Sequence, residues 1–307
     1  IEYVQRHHRM CTKKEQGIQT FIRFYELLGC ASMHPLHERI IEINLQASEQ
    51  YVADEPARIR YWAKHPTAIA CIKCMDGRVH FPSMTKTPIG IVKSFRAIGG
   101  KFSIWWPSFT GRVRRWTEQA MHKGNHALIL VTYHFSESSS HLGCAGWKYD
   151  TKAARAHTEE LRDDLAYVFG EELTAIVAGV ETDRNILTLH SSAGDVSGEQ
   201  LIGKDEAFIR QSLQHSFSDT PPEVREDLVP FLLGNASRIE ELTLTPRSIK
   251  DKGHNERIIA VGQGFDWLNR ENLALIINDA DPNLAESIRV AATLIEQNLR
   301  EAPPGDD

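Results

Sequence analysis

One stretch constrains the chain more than any other: Cys71-Ile72-Lys73-Cys74-Met75-Asp76-Gly77-Arg78. It continues an apolar run, Ala68-Ile69-Ala70, that reads as a short strand buried on both faces, as parallel strands are. A thiolate, a carboxylate and a guanidinium then fall at alternate positions where such a strand would end. Ligand and metal sites of open α/β sheets collect at that edge. Downstream, a second strand-like run, Ala127 to Tyr133, is followed by His134 and by His141-Leu142-Gly143-Cys144. Two cysteines and one histidine at the ends of neighbouring strands make a zinc site with its fourth position open.

The surrounding pattern predicts the fold class, α/β. Strands are expected near 67–74, 90–96, 127–133, 172–179 and 185–190, with helices near 108–123 and 148–169. That alternation argues for a mostly parallel sheet flanked by helices. The last two strands, joined by Glu181-Thr182-Asp183-Arg184, read as an edge hairpin. Residues 1–64 read as a helical N-terminal arm, since Ile18, Phe21, Ile22, Tyr25 and Leu28 recur at helical spacing and Pro35 opens a second helix. The Ser191-Ser192-Ala193-Gly194-Asp195 turn marks a boundary. The expected organisation is therefore the arm at 1–64, a zinc-binding catalytic domain at 65–200, and a smaller α/β domain at 201–307. In the last, helices are expected near 204–214, 222–233 and 283–300, and strands near 256–262 and 272–278, with a frayed tail at 303–307.

Length and charge narrow the class further. A chain of 307 residues is long enough for about two domains and a well-buried core. Acidic and basic residues are interspersed around a net charge of −6, which argues against a nucleic-acid or membrane surface. No apolar run approaches the ~18 residues a membrane span needs, and no signal peptide is evident, so a cytoplasmic location is expected. The first residue is Ile1 rather than Met, which leaves room for a targeting segment before it. Cys11, Cys30, Cys71, Cys74 and Cys144 are an odd, sparse set, unlike a disulfide framework. Thiols kept reduced for a metal are the better reading.

Zinc takes thiolate and imidazole readily and lowers the pKa of a bound water to about 7. Cys74 and Cys144 are the expected thiolates. Asp76 can swing onto the metal, or be held off it by a bidentate pair with Arg78 that leaves the open position to water. The dyad reads as a gate and an orienter. Cys74-x-Asp76-x-Arg78, then Arg96-Ala97-Ile98-Gly99-Gly100 after a strand, then a strand, a histidine and Cys144-Ala145-Gly146 entering a helix, together resemble the β-carbonic anhydrase family. The resemblance covers about residues 60–195, including the hairpin-like Ala178-Gly179-Val180-Glu181-Thr182-Asp183. It implies a zinc enzyme that hydrates carbon dioxide reversibly to bicarbonate through zinc-bound hydroxide, with Asp76 and Arg78 orienting the nucleophile. It also implies a homo-oligomer or an internal pseudo-dimer. The segment His254 to Gly262, with Asn272-Leu273-Ala274 after it, resembles the C-terminal domain of the family's carboxysome-shell branch, a degenerate copy lacking zinc. A bacterial microcompartment is thus a second possible location.

The chain departs from the family pattern in three places. Gly77 replaces a usual Ser, Ala145 a usual Gly, and the usual His-x-x-Cys after the strand is interrupted. His134 stands at the strand end, where the sheet would hold it, with Phe135–Ser140 looping out before Cys144. His141 keeps the His-x-x-Cys spacing but lies further out; His134 is the preferred ligand and His141 its rival. Cys71-x-x-Cys74 with His141-x-x-Cys144 would spell a structural Cys₃His site, which leaves Asp76 and Arg78 unexplained; Cys71 is read as a buried strand residue. His80, or whichever of His134 and His141 is not a ligand, is a candidate proton shuttle. Gly99 and Gly100 read as sites of close backbone approach or positive φ. Trp105-Trp106-Pro107 would wall the site or, more conservatively, pack in the core. His7-His8 and His34-x-x-His37 read as surface histidines, Cys11 and Cys30 as thiols without a role, and Gly262-Gln263-Gly264 lacks dinucleotide spacing. Two other functions fit the same residues: hydrolysis of carbonyl sulfide or carbon disulfide, and a non-catalytic zinc-stabilised scaffold.

Overall fold

The structure, a computed structural model, describes residues 35–248, 252–262 and 270–301. His7, His8, Cys11, Cys30, His34, the Ile18–Leu28 periodicity, Gln263-Gly264 and the 303–307 tail lie outside the described residues, and the side chain of His37 is likewise not described. The chain divides into two units, Ile1–Ala47 and Ser48–Asp307, and the sheets and the site belong to the second.

Helices α1 (Pro35–Ala53) and α2 (Glu55–Lys64) precede a six-stranded sheet. Its strands are β1 (Ala68–Cys74), β2 (Val92–Ala97), β3 (Ala127–Phe135), β4 (Thr174–Glu181), β5 (Ile186–His190) and β6 (Val196–Ser197), in the order β2-β1-β3-β4-β5-β6. β2, β1, β3 and β4 run parallel, and β4–β5–β6 are antiparallel. All strands expected from the sequence are present, shifted by no more than two residues at any end. One detail differs: β6 pairs outside β5, so the hairpin partner β5 is not the edge.

The period-two alternation of the strands explains why helices cover both faces. Ile69, Cys71, Leu128, Leu130, Ile176 and Ala178 pack with Ile209 and Leu213 of α6 (Glu206–Ser216) and with Leu228, Phe231 and Leu232 of α7 (Pro222–Leu244). On the other face Ala70, Ile72, Phe95, Ile129 and Val131 meet Phe109 and Val113 of α4 (Pro107–His122) and Leu161 and Leu165 of α5 (Thr151–Phe169). The short α3 (Phe81–Thr85) lies against α7. Helix α7 runs well past the expected end near residue 233, because Gly234 is a packing glycine rather than a stop: a Cβ there would sit 1.9 Å from the Thr85 carbonyl oxygen. The next residue, Asn235, is buried and bonded to Leu187 N–H and to the carbonyls of Met84 and Asn185.

A second sheet of two parallel strands, β7 (Ile258–Val261) and β8 (Ala274–Ile277), is followed by α8 (Leu284–Glu301). Leu275 and Ile277 of β8 and Ala291 of α8 pack directly on Cys74, Met75, Ile98 and Cys144. The small sheet therefore covers the carboxyl edge of β1 and β2. Backbone bonds fasten it there: Asn278 N–H to the Arg96 carbonyl at 2.7 Å and Asn272 N–H to the Gly77 carbonyl at 2.9 Å.

Candidate metal centre

Parallel pairing puts the three expected ligands at one place. Cys74 closes β1 opposite Ala97 of β2, and Met75 N–H continues the ladder to the Ala97 carbonyl at 2.9 Å. The β1–β3 register pairs Ile72 with Val131, so two residues further Cys74 stands level with Tyr133, beside His134. Strand β3 runs through Phe135, which fixes His134 within the sheet; Cys144 returns after a loop of short 3₁₀ turns. The sulfurs of Cys74 and Cys144 and a ring nitrogen of His134 lie within 4.8 Å of one another, the two sulfurs 4.0 Å apart.

The donor set fits zinc. His134 is 3% exposed, yet among the described residues neither ring nitrogen has a well-formed hydrogen-bond partner. A buried polar atom in that state is costly unless it serves as a ligand, which a ring nitrogen facing two thiols can do. The hydrogen bond from Cys144 draws the Cys74 thiol well below its usual range against the effect of burial, and His134 adds to the pull. Cys144 is pushed well above its own range by that bond and by burial. Such a pair shares one proton and gives it up to a cation. Gly99, at φ 65°, donates its N–H to the Cys74 sulfur at 3.3 Å, the close backbone approach expected of this loop.

Beside the sulfurs lies the dyad. Arg78 grips both oxygens of Asp76, Nε to Oδ1 at 3.0 Å and Nη2 to Oδ2 at 2.6 Å, while Arg78 N–H bonds Oδ1 at 2.9 Å. Burial would raise the Asp76 pKa, but the Arg78 charge, with His254 and His134, holds it well below the carboxylate range. Oδ2 stands 3.7 Å from His134 Nε2. Lys73, also buried, donates Nζ to the carbonyls of Asp76 and Val79 and so ties down the loop that carries the dyad. Burial, helped by Arg96, lowers its pKa to about 7.

The other sequence candidates fall elsewhere. His141 is exposed and set edge-on to Tyr149. Cys71 is buried with its thiol on Ser94 Oγ at 3.3 Å, outside the three-ligand group, so the Cys₃His arrangement does not assemble. His80 is buried and caps α3, accepting Ser83 N–H. Trp105 and Trp106 are 69% and 43% exposed and neither wall the centre nor fill the core. Trp147 takes that place, packed beside the sulfurs with Nε1–H on the Gly99 carbonyl at 2.8 Å.

Two residues that the sequence did not single out complete the site. Glu256 accepts Gly77 N–H at 2.8 Å, and His254 Nε2 lies 3.1 Å from Arg78 Nη2 and 3.8 Å from Asp76 Oδ2. They arrive from a segment about 180 positions away, and the only local signal is their i, i+2 spacing in extended chain, which turns both toward one side.

Fold and site together define a class: an α/β protein whose parallel sheet gathers a Cys–His–Cys group that could hold a metal ion beside a buried Asp–Arg pair. No protein-family model matches the chain. Individual relatives do. A carboxysome shell carbonic anhydrase of Prochlorococcus marinus subsp. pastoris is 23% identical over 270 residues, covering 74% of this chain and 52% of the relative. One from another Prochlorococcus marinus strain is 26% identical over 234 residues, covering 65% and 45%. That of Hydrogenovibrio crunogenus is 23% identical over 244 residues, covering 67% and 46%. The chain is a divergent relative of carboxysome shell carbonic anhydrases, and it spans about half the length of these curated relatives.

Proposed function

We propose that the chain is a zinc-dependent carbonic anhydrase, with Cys74, His134 and Cys144 holding the metal and carbon dioxide and bicarbonate as its substrates. The observation that carries this is the convergence of two thiols and a buried imidazole, without a well-formed hydrogen-bond partner among the described residues, beside an aspartate locked onto Arg78. Zinc bound there supplies a water acidic enough to lose its proton near neutral pH. The protein's own groups do the rest. Arg78 holds Asp76 in one orientation, so a carboxylate oxygen beside the metal centre is fixed as an acceptor for a water O–H. The site is built before substrate arrives and needs little reorganisation. Cys74, Cys144 and His134 are all at most 7% exposed, which lowers the local dielectric and strengthens each electrostatic contact.

The second sheet, packed over the centre without a cysteine of its own, supports reading residues 201–307 as a degenerate partner domain and one chain as an internal pseudo-dimer with a single site. The relatives' name is consistent with a microcompartment location. Among the described residues, no helix is long and apolar enough to cross a membrane.

The test is stopped-flow carbon dioxide hydration on reduced protein whose zinc has been quantified. Fast turnover at one zinc per chain supports the proposal. Zinc without turnover, but with carbonyl sulfide or carbon disulfide hydrolysis, would move the substrate to those analogues. Zinc with neither would favour the scaffold, and protein that takes up no zinc would sink the metal assignment.

A further inference from the structure

Hydration of carbon dioxide releases a proton, which has to leave a buried site. Resting on the hydration reading, we propose that His254, oriented by Glu256, is the base that takes this proton from the Asp76 side of the site and hands it to solvent. Three geometric facts point to it.

Position comes first. Asp76 Oδ2 stands 3.7 Å from His134 Nε2 and 3.8 Å from His254 Nε2, so one carboxylate oxygen adjoins both the imidazole of the metal centre and that of His254. Exposure comes second. The His254 side chain is 18% exposed, against 0% for Glu256 and 1% and 4% for the side chains of Arg78 and Asp76. His254 is the group of this cluster that meets solvent. The tautomer is third. Arg78 Nη2 can only donate, so at 3.1 Å it requires Nε2 of His254 to be an acceptor. The ring proton is then on Nδ1, which donates to Glu256 Oε2 at 3.0 Å. A neutral imidazole held this way turns its basic lone pair toward the dyad.

Among the described residues, the charged and titratable groups facing the ring are Asp76 and Arg78 from the β1 loop and Glu256 from its own segment. Two carboxylates against one guanidinium favour the imidazolium. Burial opposes it, yet the Asp76 and Glu256 contributions prevail and raise the pKa above the ordinary histidine value. In the step itself Nε2 gives up the hydrogen bond it accepts from Arg78, a water O–H bond breaks and an N–H bond forms at Nε2. The imidazolium then gives a proton to a buffer base, and neutral His254 is restored.

Net hydration releases a proton; interconversion of carbon dioxide and bicarbonate at equilibrium needs no net release. The experiment compares the two in zinc-loaded full chain, by stopped flow in weak buffer and by ¹³C exchange NMR. For His254→Ala, net hydration should fall by roughly 10²-fold, the usual size of general acid–base assistance, while exchange persists and added imidazole restores the net rate. Equal losses in both, or none in either, would overturn the proposal. A wild-type protein inactive in both assays would instead overturn the hydration reading beneath it. A readout independent of turnover is ¹⁵N NMR of the histidines in metal-free protein. His254 should titrate as an Nδ1–H tautomer, and Glu256→Gln, which keeps an acceptor for Gly77, should lower its pKa. An Nε2–H tautomer, or a pKa untouched by Glu256→Gln, would rule out the proposed geometry.

Discussion

The side chain of Glu256 occupies the space that a side chain at Gly77 would need. A Cβ built on Gly77 would lie 2.9 Å from Glu256 Cγ, 3.0 Å from its Oε1 and 3.2 Å from the Ala274 carbonyl oxygen. The serine expected between Asp76 and Arg78 is excluded here by the segment that folds over the loop. Gly77→Ser should therefore displace Glu256 and strain the β8 backbone, costing about 1–3 kcal/mol as overpacked cores do. Urea denaturation checks this, and a variant as stable as wild type would show that Glu256 is free to step aside.

The two histidines before Cys144 make opposite predictions. His134→Ala should abolish stoichiometric zinc binding, because it removes one of three converging ligands from a buried centre. His141→Ala, on an exposed ring, should leave zinc near one per chain. Metal analysis after gel filtration separates them; loss of zinc only in the His141 variant would reverse the ligand assignment.

Asp76→Asn keeps the shape of the dyad but leaves the Arg78 guanidinium buried without its counter-charge. Breaking a buried pair on one side costs roughly 3–5 kcal/mol. The Asp76 pKa is depressed on folding, so its contribution is fully present above the unfolded value of about 3.9 and is lost as pH falls toward the folded one. The stability gap between wild type and Asp76→Asn should accordingly be widest near neutral pH and close on acidification. Denaturation curves from neutral pH down to about 3 test the sign.

Lys73→Met removes the buried donor to the Asp76 and Val79 carbonyls, which loses about 1–3 kcal/mol for a group left unsatisfied. The pH dependence has the same sign as that of Asp76, in a higher pH window. With its pKa lowered from 10.5 to about 7 on folding, Lys73 holds a proton in the unfolded chain that the folded chain has released. Wild-type stability should therefore gain over Lys73→Met as pH rises from about 7 toward 10. A gap that is flat across this range would mean that Lys73 stays charged when buried.

Much of this was legible in the sequence because strands buried on both faces announce themselves as apolar runs. Ile69 to Cys74 and Ala127 to His134 are continuous in burial as they are in composition. Spacing alone did not choose the histidine: His141 has the family interval, and the sheet's grip on His134 decides which ring faces the sulfurs. The end of α7 was less legible: the expected helix stops near residue 233, and nothing local shows that Gly234 packs against Thr85 within a helix that continues to Leu244. The exposed Trp105 and Trp106 lie on the surface, while Trp147, unremarked in sequence, packs against the thiols. His254 and Glu256 were invisible as site residues, since no local pattern relates them to Asp76 and Arg78.

Biosynthesis adds a consequence of the Gly77–Glu256 bond, which joins positions 179 apart. A ribosome that has made the thiol and imidazole ligands has not yet released the acceptor for Gly77 N–H or the segment whose Asn278 caps the Arg96 carbonyl. Contacts of such long separation close late. The emerging chain can form the Asp76–Arg78 pair at once, but the loop between them gains its Glu256 contact only when the C-terminal strands appear.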